Sequence, residues 1–408
     1  VIFGISGYIC SQAIENPGIE IWGIIFIAAL LGALLSLLYF KPHPEVSGRF
    51  PIQYFIFGLI PFLVLLPGVV ALLSSVRVQL SAHGSFHLGY IYQILNGLAP
   101  PENAVLPGYP ANVYWLFHAL IATLTEIFNT PPPLIAALLN IAALIISLYW
   151  IRKILYLLGL ANRNSFITSC YTLLILFSTN LFGALHVALN YILNKGYSKG
   201  SLIESVTYES MRLGGDQRLV SLMKKFFNFS GAPLGILYFT FALYLSVRIS
   251  KGNLTSKNIL LLAIAISGAL MFHTITGIYM LIIIPLSIFI SLLITNKQCI
   301  CAYFKNIQST ELLLVVLGIP ILFIPTAHYI YLAASAMPVQ TKIGTSIGYN
   351  LMSILYTVYP LIPLSFFGAY RYHKKKLDGT ALLCIASILG YILAILLDLP
   401  DQNQYKFR

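Results

Sequence analysis

An all-α bundle that crosses a membrane many times is the architecture this chain predicts. Its 408 residues are 58% hydrophobic and 9% charged, where soluble domains carry about 25% charged residues. Mean hydropathy is +0.85. Apolar stretches of about 20 residues recur along the whole length, each long enough to cross roughly 30 Å of hydrocarbon. The gaps between them leave no room for a soluble domain, so 1–408 reads as a single multi-pass membrane domain. Its first residue is Val and its last segment, DLPDQNQYKFR, reads as the start of another element. Both termini are therefore expected to be truncated, and no signal peptide can be judged.

The spans fall near 1–14, 20–40, 53–75, 133–157, 164–189, 231–248, 258–273, 276–295, 311–333, 351–370 and 381–399. Pro67, Gly68, Pro320, Pro325 and Pro360 lie inside them. Membrane helices tolerate such residues when neighbours satisfy the freed carbonyls. The connecting loops then alternate in charge. One side takes Lys41 and Arg49, then Arg152, Lys153 and Arg163, then Arg248, Lys251 and Lys257. Lys297 and Lys305 follow in a loop, and last come Arg371 and Lys374 to Lys376. The positive-inside rule makes that side cytoplasmic.

This alternation holds only if the apolar stretch 111–129 does not cross. Its sequence, ANVYWLFHALIATLTEIFN, sets Trp115, His118 and Glu126 among apolar residues, which suits a helix lying in the interface. Residues 76–130 then form a long first extracytoplasmic loop with surface helices, and 190–230 a second outer loop. The second loop holds Lys195, Lys199, Arg212, Arg218, Lys224 and Lys225 against Glu204, Glu209 and Asp216. Two readings stand for these cations: an ordinary solvated loop, or a pocket for a phosphate or lipid headgroup.

The net charge of +12 does not imply nucleic acid, because no basic stripe with interleaved aromatics stands on a polar scaffold. It fits orienting loops and anionic lipid instead. The five cysteines include a C-x-C pair, Cys299 and Cys301, without a second ligand pair to make a zinc motif. The Phe and Tyr residues suit lipid-facing and interfacial positions.

The segment richest in chemistry is 83–124. His83 and His87 are four apart and share a helical face. Gly97, Pro100, Pro101 and Gly108 break the chain into a short helix, a turn and a second helix. Glu102 sits in the turn, and Asn112, Tyr114, Trp115 and His118 follow it.

A first outer loop of this form resembles that of GT-C superfamily membrane glycosyltransferases, such as protein O-mannosyltransferases and aminoarabinose transferases. The stretch PPENAVLPGYPANVYWLFHALIATLTEIFNTPPPLIAALLN is closer still to the uncharacterised YYY-type membrane proteins. Those carry PP-(E/D), a Gly, then N-x-Y and a His. Near the end, Asn403-Gln404-Tyr405-Lys406-Phe407 is similar to the N-x-x-(F/Y)-K-F segment that opens a late helix in that family. Gly277 after His273 at a helix start is a fainter echo.

The resemblance implies transfer of a sugar from a polyprenyl-phosphate donor to an acceptor, with inversion, at an outward-facing site of the plasma membrane. The partners expected are membrane lipid and the polyprenyl-phosphate sugar donor. The family places Asp or Glu where this chain has His83-Gly84-Ser85-Phe86-His87. The base would then be His83, His87 or Glu102, since an imidazole titrates near about pH 6.5. Asn112, Tyr114, His118, Arg212, Arg218, Asn403 and Lys406 are the expected substrate-binding residues. Cations aimed at the leaving phosphate would lower the barrier.

His118, His186, His273 and His328 all fall on the outer half. With Glu or Asp they suit either a divalent metal or a polar cavity of hydrogen-bonded imidazoles. Asp398 closes its helix near Asp401 and Lys406. Two other functions stay open: a non-catalytic GT-C-like protein that binds lipid or a partner, and a secondary transporter. Against transport, the chain shows no internal repeat and its polar residues gather at one face.

Overall fold

Lipid supplies no hydrogen-bond partners, so a chain of this composition must close its backbone bonds within helices. The computed structural model describes residues 1–13, 20, 22–24, 26–27, 82–103, 108, 115–160, 229–295, 297–335, 342–343 and 380–398. Over these the fold is all-α. In chain order the helices are α1 (Ile2–Ala13), α2 (Ala82–Leu95), α3 (Leu116–Phe128), α4 (Pro132–Leu157) and α5 (Ala232–Ser250). Then come α6 (Ser256–Phe272), α7 (Thr274–Thr295), α8 (Lys297–Asn306), α9 (Ser309–Ser335) and α10 (Thr380–Leu396). The exception is a two-residue antiparallel pairing of β1 (Lys342–Ile343) with β2 (Leu397–Asp398).

Four helices are long and apolar enough to span a membrane: α4, α5, Thr274–Ile294 of α7 and Ser309–Leu332 of α9. The expected spans 53–75, 164–189 and 351–370, and most of 20–40, lie outside the described residues. Helix α3 is 13 residues long, about 20 Å at 1.5 Å per residue. That falls short of the roughly 30 Å core. Two expectations need correction. Residues 297–305 are not a loop but most of α8. And α10 stops at Leu396, leaving Asp398 in a strand pair with Lys342.

Local sequence explains where the helices end. Pro131 to Pro133 open α4, where a fixed φ suits the first turn and the missing N–H is no loss. The Thr255 hydroxyl accepts the Asn258 N–H at 3.2 Å and caps α6. Helices α2, α3, α4 and α5 close in the same way, through Gly97, Asn129, Gly159 and Gly252 at positive φ. In each, the residue after the turn donates back to the carbonyl five before it, as Leu98 N–H does to Gln93 at 3.0 Å.

Helix α5 packs against α4, α6 and α7, α6 also against α9, and α7 against α10. Between apolar helices in lipid, close approach and interhelical hydroxyl bonds replace the hydrophobic drive. Buried Ala242, Ala265, Gly268 and Ala269 permit that approach. Ser250 and Ser291 share a bond at 2.7 Å, and Ser267 and Thr326 one at 2.9 Å. At Gly277 an added Cβ would lie 2.3 Å from the Leu270 backbone nitrogen, so the turn at His273 folds α7 directly onto α6.

The contacts also sort the helix ends. The Lys251 ammonium donates to the Leu157 carbonyl at 2.6 Å, joining the C-terminal ends of α4 and α5. Ser250–Ser291 adds the C-terminal end of α7. Ser256 bonds both Tyr303 of α8 and Glu311 at the start of α9. Arg152, Lys153, Arg248, Lys251, Lys257, Lys297 and Lys305 therefore gather at one end of the bundle. The hairpin of α2 and α3 sits at the other.

Candidate functional site

The α2–α3 hairpin is built by a regular inward face. On α2 the buried positions are Gly84, His87, Tyr90, Ile91 and Ile94, the three-and-four spacing of a single helical stripe. On α3, Leu116 to Ala119 and Ile121 to Leu124 are buried. The hairpin packs against α1, α4, α6 and α9. The Leu116 N–H donates to the Tyr329 hydroxyl of α9 at 3.4 Å. Trp115 meets Tyr329 and Trp22 edge-on at centroid distances of 6.2 and 5.7 Å. Phe272 of α6 presses its carbonyl on Gly231, where a Cβ would lie 2.0 Å away.

At the hairpin's centre His87 Nδ1 and His118 Nε2 share a hydrogen bond of 2.7 Å. The rings are stacked, with centroids 5.0 Å apart and planes 18° apart. His87 is 4% exposed and His118 0%, so neither imidazole reaches solvent. Tyr90, Phe117 and Phe229 wall them in. One ring must donate and the other accept. Burial first, and the neighbouring His87 second, hold His118 well below the usual imidazole range, against a smaller upward pull from the Trp115 carbonyl. The pair is thus a structural link between the two helices, with His118 held uncharged.

Glu102 lies in the turn that the sequence marks. Its Oε2 accepts the Gly108 N–H at 2.7 Å, and Gly108 has φ +87. The carboxylate closes the turn while staying half-buried. Nearby, His273 Nδ1 bonds the Thr276 hydroxyl at 2.7 Å across the α6–α7 corner. His328 Nδ1 bonds the Tyr8 hydroxyl, joining α9 to α1.

Of the residues that sequence reading singles out, the structure brings together His87 and His118. It places Glu102 in the same hairpin and His83 in the first turn of α2. Asn112, Tyr114, Arg212, Arg218, Asn403 and Lys406 lie outside the described residues, as does His186. Among the described residues no three His, Cys, Asp or Glu side chains converge as a metal shell. The partner role of Tyr8 has no sequence signal, since 320 residues separate it from His328. No protein-family model matches this chain, and neither does any curated protein or solved structure.

Proposed function

We propose that this chain is a GT-C-like membrane glycosyltransferase, moving a sugar from a polyprenyl-phosphate-linked donor to an acceptor on the extracytoplasmic side. One observation carries the reading. A short-helix, turn, short-helix unit bearing a partly exposed carboxylate, Glu102, docks on the end of the bundle away from its cations. Lipid-linked donors are presented at the membrane face, so such a site needs no soluble nucleotide sugar.

In this reading Glu102 takes the proton from the acceptor hydroxyl. The acceptor oxygen attacks the anomeric carbon while the carbon–oxygen bond to phosphate breaks, its electron pair leaving on the phosphate. His83 is the second candidate for the base. Arg212, Arg218, Asn403 and Lys406 are assigned to the phosphate, because negative charge grows there as the bond breaks. Asn112 and Tyr114 are assigned to the acceptor side. His87 and His118, being buried, serve by holding the hairpin.

The test is release of polyprenyl phosphate from a panel of polyprenyl-phosphate sugars by the protein in nanodiscs. Loss of a general base lowers turnover by about 10²- to 10⁴-fold, and Glu102→Gln is expected to fall in that range with unchanged melting. A second reading, a non-catalytic relative that binds lipid or a partner, is favoured by the burial of His87, which stands in the segment where the family has a carboxylate. Wild-type protein that retains donors without cleaving any of them would establish it.

A further inference from the structure

Far from the hairpin, the basic end carries a second arrangement that sugar transfer does not use. Helices α4 and α5 run in parallel register there. Trp150 meets Tyr244, and Leu157 meets Lys251, at the same offset of 94 residues. That register brings Lys153 level with Val247, one residue from Arg248 along the chain. The side chains form a continuous row. Lys153 Nζ sits 5.5 Å from the centroid of the Tyr149 ring. Tyr149 touches Trp150 with centroids 4.9 Å apart, and Trp150 touches Tyr244 at 4.9 Å. The Arg248 guanidinium lies 5.8 Å from the Tyr244 ring centroid.

We propose that this α4–α5 corner, an aromatic row ending in Lys153 and Arg248 beside Lys251, binds the headgroup of an anionic phospholipid. Three facts support a lipid occupant. The cations lack counterions: among the described residues no carboxylate pairs with Lys153, Arg248 or Lys251. The ammonium of Lys251 donates one bond to the Leu157 carbonyl, leaving two protons for a phosphate. And Tyr149, 39% exposed, continues toward the bilayer centre as an exposed apolar stripe through Ile145 and Leu138, four and eleven residues back on the same helical face. A headgroup held by the cations would lay its acyl chains along that stripe. A free phosphate would have no use for it. Tyr and Trp at this level belong to the membrane interface.

Trp150 reports occupancy directly. The protein is placed in nanodiscs of phosphatidylcholine with either acyl-brominated phosphatidylglycerol or acyl-brominated phosphatidylcholine at equal mole fraction. The Trp150 emission is isolated by difference from Trp150→Phe. Brominated anionic lipid is expected to quench it several-fold more than the zwitterionic lipid does. Each of Lys153→Gln and Arg248→Gln is expected to weaken that preference by about fivefold, the effect of one cation near an anionic leaflet. Lys305→Gln, a change of equal charge on α8, is expected to leave it intact. Equal quenching by both lipids in the wild type overturns the proposal. So does a loss in Lys305→Gln as large as in Lys153→Gln, which marks a diffuse field, or displacement by millimolar inorganic phosphate, which marks a soluble-anion site.

Discussion

His87 and His118 share a bond that cannot survive a proton on both facing nitrogens. Burial and His87 keep His118 neutral in the fold, while in the unfolded chain it titrates near about 6.5. Below that pH the unfolded state binds a proton that the folded state refuses. Stability contributed by His118 is thus complete above about pH 6.5 and falls as the pH drops below it, by at most about 1.4 kcal/mol per pH unit. Thermal melting in detergent is expected to be lower at pH 5.5 than at pH 7.5. In His118→Phe that pH-dependent part of the drop is expected to shrink. An identical pH slope in the two proteins would refute the assignment. Glu102 holds a different kind of contact: its half-buried carboxylate accepts the Gly108 N–H and closes a local turn. Its position could be read from the chain, since Pro100, Pro101 and Gly108 announce the turn. The histidine pair could not, because 31 residues separate its members and the bond exists only once two helices have chosen their facing sides.

At the level of elements, hydropathy located α4, α5, α7 and α9, the helices long and apolar enough to span, because such a segment is a property of local composition. Helix α8 escaped for the same reason. Its polar residues and two lysines resemble a loop, and its helicity is supported by contact with α7 and the Ser256–Tyr303 bond. The α6–α7 corner supplies a sharp test. An alanine at Gly277 would set its Cβ 2.3 and 2.4 Å from backbone atoms of Leu270, which cannot rotate away. Overpacking of this kind costs about 1–3 kcal/mol. Gly277→Ala is expected to lower the melting temperature and the yield of folded protein. Gly23→Ala, whose Cβ meets nothing within 4 Å, is the matched control. Equal melting of the two variants would show that the corner is looser than its geometry implies.

Across the whole molecule charge is unevenly distributed. Among the described residues most cations gather where the ends of α4, α5 and α7 meet the starts of α6, α8 and α9, with Glu311 beside them, while Glu102 and Glu126 belong to the hairpin at the other end. The proposed function requires the first end to face the cytoplasm, which is what the positive-inside rule expects of it. An impermeant maleimide applied to intact cells is expected to label a cysteine placed at the exposed Glu126. Cys301, exposed on α8, is expected to react only after permeabilisation, with Cys301→Ser as the reference. Labelling of both from the same side would overturn the orientation and the outward site with it.

The chain by itself determined that this is a helical membrane protein, where its hairpin turn lies, and that the cations between Arg152 and Lys305 gather at one end. These follow from hydrophobicity, from loop charge and from Gly and Pro at turns, all of which act locally. Tertiary structure alone decided that His87 and His118 would bond to each other inside the hairpin. It alone set Tyr8 against His328 and lined up Lys153, Trp150 and Arg248 along one corner. Such contacts depend on the rotation and register of helices distant in sequence, which composition does not encode.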